Sequence, residues 1–206
     1  GDLNGDGIVD VVTNSGDRVN VRFGNGDGSF KASTSYDTMV SSGGNGLAIN
    51  LADINGDNKL DILTSDTKEA GSFTALINTG TGNFSAGVLT SGLSSDIAAI
   101  VTGDFNSDGR TDFVSDFNIL FLANSNGTFS QRSVSVLGGA SVINTIAGDF
   151  NQDGKQDLAF TSGSSIKITL GNGDGTFGAA TTAVSGITNP RPVQFADVNG
   201  DGYKDL

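Results

Sequence analysis

The chain contains no cysteine, no histidine and no tryptophan. It has one methionine, Met39, and two prolines, Pro190 and Pro192. Without cysteine there is no disulfide framework, no zinc–thiolate site and no thiol nucleophile. Without histidine as well, the usual general base of hydrolytic chemistry is missing. No apolar run is long enough to span a membrane, which excludes membrane insertion by a helix. The 11 Lys and Arg are scattered without a basic run, and the formal net charge is −12. Nucleic acid and anionic membrane surfaces are therefore poor partners. Glutamate is nearly absent too, represented by Glu69 alone.

What the chain has instead is aspartate. Of 22 aspartates, 15 fall in five copies of one nine-residue pattern, Asp-x-Asn-x-Asp-Gly/Asn-x-x-Asp. The copies are Asp2–Asp10, Asp53–Asp61, Asp104–Asp112, Asp149–Asp157 and Asp197–Asp205, with first aspartates 51, 51, 45 and 48 residues apart. General solubility would use glutamate freely. A bias to the shorter carboxylate, gathered at near-even spacing, points to tight turns and metal ligation.

The donor set suits calcium, which takes six to eight oxygens from carboxylates, amide and backbone carbonyls and water. Loop positions 1, 3, 5 and 9 supply Asp2, Asn4, Asp6 and Asp10; Asp53, Asn55, Asp57 and Asp61; Asp104, Asn106, Asp108 and Asp112; Asp149, Asn151, Asp153 and Asp157; and Asp197, Asn199, Asp201 and Asp205. Position 7 varies in side chain, as expected where only the backbone carbonyl is used: Ile8, Lys59, Arg110, Lys155 or Tyr203. A bidentate aspartate at position 9 and a water would fill the shell. Up to five Ca²⁺ are expected, one per loop, taking the formal charge from −12 to −2. Position 6 is Gly7, Gly109, Gly154, Gly202 or Asn58, where the chain must turn at positive φ. Position 2 is always apolar (Leu3, Ile54, Phe105, Phe150, Val198) and is expected to pin each loop to the core. The EF-hand alternative fails, because it needs Glu at position 12, and Thr13, Thr64, Ser115 and Phe160 stand there. The bland alternative, polar turns alone, is disfavoured by five copies in register.

The same period orders the rest of the chain. Each repeat opens on an apolar run, passes through the acidic loop and leaves on a second run such as Ile62-Leu63 or Phe113-Val114. A third run alternates: Val19, Val21 and Phe23 against Arg18, Asn20 and Arg22, and Ile166, Ile168 and Leu170 against Lys167 and Thr169. Phe117, Ile119 and Phe121 alternate less cleanly. Period two marks half-buried strands. Glycine-rich turns follow at Gly24–Phe30, Asn78–Phe84, Asn124–Phe129 and Gly171–Phe177. They read as hairpins and not as phosphate loops, since the Lys-Ser/Thr of a P-loop is missing. Their phenylalanines, Phe30, Phe84, Phe129 and Phe177, read as core packing.

Four antiparallel strands per repeat of about 45–50 residues match a propeller blade. The expected fold is all-β, one β-propeller segment over residues 1–206. Its repeats are 1–45 without its first strand, then 46–94, 95–140, 141–188 and a partial 189–206. Pro190 and Pro192 sit at a repeat entrance, where a strand edge accepts them. The first and last residues both fall beside a motif, so a missing leader carries no information.

With Phe-Gly-Asn-Gly-Asp-Gly-Ser-Phe at 23–30 and Leu-Gly-Asn-Gly-Asp-Gly-Thr-Phe at 170–177, the loops and turns resemble FG-GAP/VCBS repeats over essentially the whole chain. Such repeats build the propeller of integrin α subunits and of many bacterial secreted or surface proteins. The resemblance implies a ring of about seven four-stranded blades, with Ca²⁺ in the loop joining the first two strands of a blade. About four and a half blades are present, so an open fragment of a larger ring is expected, able to self-associate through its open ends.

The resulting expectation is a calcium-stabilised, non-catalytic module for binding or adhesion. It would be extracellular or on a cell surface, in a bacterial setting, with an unidentified protein or carbohydrate ligand. Two alternatives are the non-catalytic propeller of a larger secreted hydrolase or lyase, and a passive spacer in a surface protein. The aspartates outside the loops, including Asp17, Asp37, Asp66, Asp96 and Asp116, form no catalytic constellation in the sequence.

Overall fold

A computed structural model describes residues 1–38, 46–66, 72–85, 88–90, 100–115, 119–134, 145–188, 196, 198 and 200. These residues form strands, turns and loops, with no helix among them. The chain divides into two compact units. One comprises Gly1–Ala98 with Ala123–Phe129, the other Ala99–Leu122 with Ser130–Leu206.

The first unit opens on a three-stranded antiparallel sheet of β1 (Val11–Ser15), β2 (Arg18–Arg22) and β3 (Thr34–Asp37), in that order. β2 shows the expected alternation, with Val19 and Val21 fully buried between the exposed Arg18 and Arg22. The second sheet runs β4 (Gly46–Ala52), β5 (Asp61–Asp66), β6 (Ser72–Leu76) and then β9 (Val88–Thr90). Between its third and fourth strands the short β7 (Asn78–Gly80) and β8 (Asn83–Phe84) form a hairpin. Every side chain of β6 is buried, including Ser72 and Thr74. Both faces of this central strand are therefore covered, and two-faced burial suppresses alternation. The core of the unit gathers Leu3, Val19, Val21, Ile62 and Leu76.

The second unit carries two four-stranded antiparallel sheets. One orders β10 (Ile100–Gly103), β11 (Asp112–Ser115), β12 (Ile119–Ala123) and β13 (Phe129–Ser133); its 123–129 turn is counted with the first unit. The other orders β14 (Thr145–Gly148), β15 (Asp157–Ser162), β16 (Ser165–Thr169) and β17 (Thr181–Ser185). Their core gathers Phe105, Val114, Leu120, Val134, Leu158 and Phe160. Burying each such side chain stabilises the fold by about 1.5–3 kcal/mol.

Two readings of the sequence are corrected here. In β16 the alternation does not sort inside from outside: Thr169 is fully buried and Leu170, just beyond the strand, is 43% exposed. Thr169 tolerates burial because its hydroxyl donates to the Gly178 carbonyl at 2.7 Å. Phe30 is not core but 42% exposed. Its counterparts pack edge-on against aromatic rings of the preceding repeat: Phe84 on Tyr36, Phe129 on Phe73 and Phe177 on Phe105. No such ring meets Phe30 among the described residues. Phe117 and the entrance prolines lie outside the described residues.

Candidate metal centre

Each acidic loop joins two antiparallel neighbours in a sheet: Asp53–Asp61 links β4 to β5, Asp104–Asp112 links β10 to β11, and Asp149–Asp157 links β14 to β15. Asp2–Asp10 runs directly into β1. Four loops are described. In the fifth, Asp197, Asn199, Asp201, Tyr203 and Asp205 lie outside the described residues.

The four loops share one hydrogen-bond scheme. At position 1 the carboxylate spans the turn: Asp2 accepts from the Gly5 amide at 2.7 Å with one oxygen and from Gly7 at 2.8 Å with the other. Asp53 accepts likewise from Gly56 and Asn58, at 2.8 and 2.7 Å. Asp104 and Asp149 accept from Gly109 and Gly154, at 2.9 and 2.8 Å. The side-chain oxygen of Asn4, Asn55, Asn106 or Asn151 at position 3 accepts from the amide at position 5, at 2.9–3.2 Å. The first oxygen of Asp6, Asp57, Asp108 or Asp153 at position 5 accepts from the amide at position 7, at 2.9–3.0 Å. These short side chains thus fold the loop on itself, which the longer Glu does less readily.

The backbone turns where the sequence indicates. Position 6 has φ of 80° at Gly7, 63° at Asn58, and 83° at Gly109 and Gly154. The structure adds a second left-handed residue at position 4: Gly5, Gly56, Ser107 and Gln152, with φ of 77°, 82°, 57° and 60°. Ser107 and Gln152 carry no composition signal for this, and sequence reasoning missed them. At position 2, Leu3, Ile54 and Phe105 are 1–2% exposed, as expected for anchors, and Phe150 is half-buried. Val198 departs from the expectation at 80% exposed. Phe105, by contrast, is covered by Phe177 from the next repeat's glycine turn.

Position 9 has a role the sequence did not reveal. Asp10, Asp61, Asp112 and Asp157 are 0–3% exposed and sit beneath the loop. One oxygen of each accepts from the position-2 amide: Leu3 at 2.8 Å, Ile54 at 2.9 Å, Phe105 at 3.0 Å and Phe150 at 2.9 Å. The other oxygen of Asp10, Asp61 and Asp157 accepts from the first amide of the glycine-rich turn, at Gly24 (2.9 Å), Asn78 (2.7 Å) and Gly171 (2.8 Å). The carboxylate therefore bolts the acidic loop to the hairpin about 15 residues later in the chain. A carboxylate has about four acceptor directions, so each oxygen keeps one for a cation.

Electrostatics follow this geometry. The Gly7 amide above all, with Gly5 and Asn4, holds Asp2 below the usual carboxylate range. The Lys155 amide does the same for Asp153. Burial pushes Asp61 up to about 6 despite the amides of Asn78 and Ile54, and the charges of Asp57 and Asp53 push the same way. A cation in the loop would oppose that push. In three loops the side chain at position 7 already supplies a positive charge to the position-5 carboxylate. Lys59 meets Asp57 at 2.8 Å, Lys155 meets Asp153 at 3.5 Å, and Arg110 pairs with Asp108. In the first loop Ile8 stands there, and Asp6 has only the Asn4 side-chain amide, at 3.0 Å, a bond that Asn106 also makes to Asp108 at 2.7 Å.

Among the described residues no three carboxylates are gathered into a metal cage. The donors nonetheless fit a hard divalent cation: every candidate atom is oxygen, two carboxylates and one amide face one short loop, and no sulfur or imidazole competes. The residues that would hold it are those at positions 1, 3 and 5, the position-7 carbonyl and a remaining lone pair at position 9.

The FG-GAP-like repeat model matches residues 2–64 and 149–206, together more than half of the chain. The chain belongs to the FG-GAP-like repeat family. Three solved structures are similar to this FG-GAP protein. One is an Agrocybe aegerita lectin described as specifically recognising non-reducing terminal N-acetylglucosamine (22% identity, TM-score 0.64, 88% of this chain and 50% of that one). Another is the V. cholerae biofilm matrix protein Bap1 (22%, 0.56, 94% and 29%). The third is the Photorhabdus luminescens Tc holotoxin pore (18%, 0.54, 98% and 10%). At this identity the likeness is one of fold, and the chain spans half or less of each of these proteins. No curated protein sequence matches it significantly. No helix among the described residues is long and apolar enough to cross a membrane.

Proposed function

We propose that this FG-GAP chain is a calcium-stabilised β-propeller segment that serves as a non-catalytic binding or adhesion module outside the cell. The observation that carries this reading is the loop scheme, repeated with the same donors in four described copies. Calcium, when bound, supplies charge neutralisation and rigidity at the loop tips. The chain's own residues do the rest: positions 1, 3 and 5 shape the loop, and position 9 ties it to the hairpin. Recognition falls to the surface loops that this scaffold holds in place. A lectin and a biofilm matrix protein among the structural neighbours support a carbohydrate or protein ligand and an extracellular setting. Tyr36 is not a free sugar platform, since its hydroxyl donates to Gly82 and its ring packs on Phe84. An array of glycans and extracellular matrix proteins, probed with the chain in millimolar Ca²⁺ and in chelator, tests the reading. A ligand held in Ca²⁺ and released by chelator supports it; no ligand on either class, or binding indifferent to chelator, overturns it.

The cation at position 7 makes the loops unequal. Lys59 occupies the outer oxygen of Asp57, so calcium must displace an ion pair there, and exposed pairs are worth about 0.2–1 kcal/mol. Lys59→Met is therefore expected to tighten calcium binding at the second loop about two- to fivefold at low salt. The gain should shrink as added salt screens the pair. Calorimetric titration at two ionic strengths checks this, and identical affinities for the two proteins would count against it.

A further inference from the structure

The second repeat departs from the others at three positions, and all three line one cleft. At loop position 6 it carries Asn58 where Gly7, Gly109, Gly154 and Gly202 stand. With the glycine-rich turns aligned on their phenylalanines, it carries Asn78 where Gly24, Ala123 and Gly171 stand, and Thr81 where Asp27, Asn126 and Asp174 stand. The cleft, of about 270 Å³, opens between the first and second acidic loops, inside the first unit. Its remaining walls are Asp2–Gly5 and Lys59-Leu60. Every residue of both loops and of the turn is described. The chain enters the first loop from the sheet side, where the Asp10 amide donates to the Gly1 carbonyl at 2.7 Å, and not through the cleft.

Two of the departures strain the backbone. Asn58 and Thr81 hold φ of 63° and 53°, where glycine is at ease and a β-branched residue is not. Strain of this kind gathers at ligand sites. A Cβ on Gly7, Gly109 or Gly154 meets nothing within 4 Å, so loop position 6 sends a side chain outward. In the second loop that side chain is the Asn58 amide, which is exposed and bonds to no other protein group. The Thr81 hydroxyl accepts from the Asn83 side chain at 3.2 Å and keeps its own hydrogen to give. Asn78 is built into the wall. In the first and fourth repeats a Cβ at its place would stand 2.5 Å from the Val9 carbonyl and 2.1 Å from the Gln156 carbonyl. Asn78 is nonetheless accommodated, 2% exposed, and its amide donates to the Leu3 and Leu60 carbonyls at 2.7 and 3.1 Å. It therefore fixes the spacing of the two loops that flank the cleft.

The lining selects the ligand. A phosphate would find one ammonium, Lys59, already paired with Asp57 at 2.8 Å, and would face the Asp2 carboxylate. A cation would find Asp2 as the one carboxylate among the lining residues. What the cleft leaves free is an amide that both donates and accepts, a hydroxyl, and the half-buried Leu60. That set suits neighbouring hydroxyl groups on a ring with one apolar face. The volume lies just under the about 300–1,000 Å³ of drug-sized sites, which suits a single ring. We propose that this cleft binds an uncharged sugar ring, with Asn58 and Thr81 bonding its hydroxyls and Asn78 as a positioning residue. The inference rests on the carbohydrate arm of the proposed function and gives it a site.

Saturation-transfer NMR on the full chain in millimolar Ca²⁺ tests this, with a panel of methyl glycosides of neutral hexoses, N-acetylhexosamines and deoxyhexoses. The wild type should bind at least one of them. Asn58→Gly and Thr81→Gly remove the two bonding groups and relieve the left-handed backbone, so both variants keep the fold. Each should weaken binding about three- to tenfold, the loss expected of one neutral hydrogen bond. The double variant should show no detectable transfer, and inorganic phosphate should not displace the sugar from the wild type. Variants that bind undiminished overturn the cleft as the site and leave a carbohydrate-binding module standing. Displacement by phosphate overturns the uncharged ligand. A wild type that binds no glycoside overturns the inference as a whole; a protein ligand released by chelator on the array would then leave the proposed function intact without it.

Discussion

Millimolar Ca²⁺ is expected to raise the melting temperature of the chain by about 8–32 °C over the chelated protein. Exposed extracellular calcium sites have Kd of about 10⁻⁴–10⁻³ M. At about 5 mM Ca²⁺ each filled loop then adds about 1–2 kcal/mol by mass action, so four loops add about 4–8 kcal/mol. For a chain of this size each kcal/mol moves the midpoint by about 2–4 °C. The sign is secured by charge: the apo chain carries −12, and 12 of its aspartates lie in the four described loops. Circular dichroism melts in Ca²⁺, in Mg²⁺ and in chelator decide the matter. Magnesium should give a smaller shift, because it demands a tight octahedron and gives up its water reluctantly. Superimposable melts in calcium and chelator would remove structural calcium from the account.

Much of this architecture is legible in the residues, for a physical reason. The loop motif is local: Asp2, Asn4 and Asp6 bond to amides two to five residues away, so their types and spacing record the geometry directly. β2 is legible because one of its faces is buried and the other is not. β6 and β16 are less so, since burial on both faces admits Ser72, Thr74 and Thr169 to the interior. What the sequence concealed is long-range. Asp10, Asp61 and Asp157 read as further metal ligands, yet their partners include Gly24, Asn78 and Gly171, 14 to 17 residues downstream. Phe30 and Phe177 look alike in sequence, but one is exposed and the other packs on Phe105, because burial depends on the neighbouring repeat. The left-handed backbone at Ser107 and Gln152 was hidden for a related reason: the loop's hydrogen bonds impose it on residues with no preference for it.

The bolt at position 9 and the ligand at position 5 separate cleanly by mutation in the fourth loop. Asp157→Asn keeps the size of the side chain but has one acceptor oxygen where the carboxylate has two. The amides of Phe150 and Gly171 both point at that group, at 2.9 and 2.8 Å, and Asp157 is fully buried. One amide would then face the NH₂ group, a buried donor without an acceptor. Hydrogen bonds to charged groups are worth about 1.5–3 kcal/mol, and a stranded buried donor costs about 1–3 kcal/mol. The variant should therefore lose about 2–4 kcal/mol even in chelator, or about 4–16 °C in melting temperature. Asp153→Asn is the contrast. Its side chain is 35% exposed, its first oxygen serves the Lys155 amide, and its pair with Lys155 is long at 3.5 Å. In chelator it should melt within about 2 °C of wild type, since surface changes of this kind stay within about 0.5 kcal/mol. In calcium it should fall short of wild type by the contribution of one loop, about 1–2 kcal/mol. Paired melts of the two variants in calcium and in chelator give four numbers. If Asp157→Asn were silent in chelator, position 9 would be a ligand and not a bolt. If Asp153→Asn kept the full calcium shift, the fourth loop would not be a calcium site.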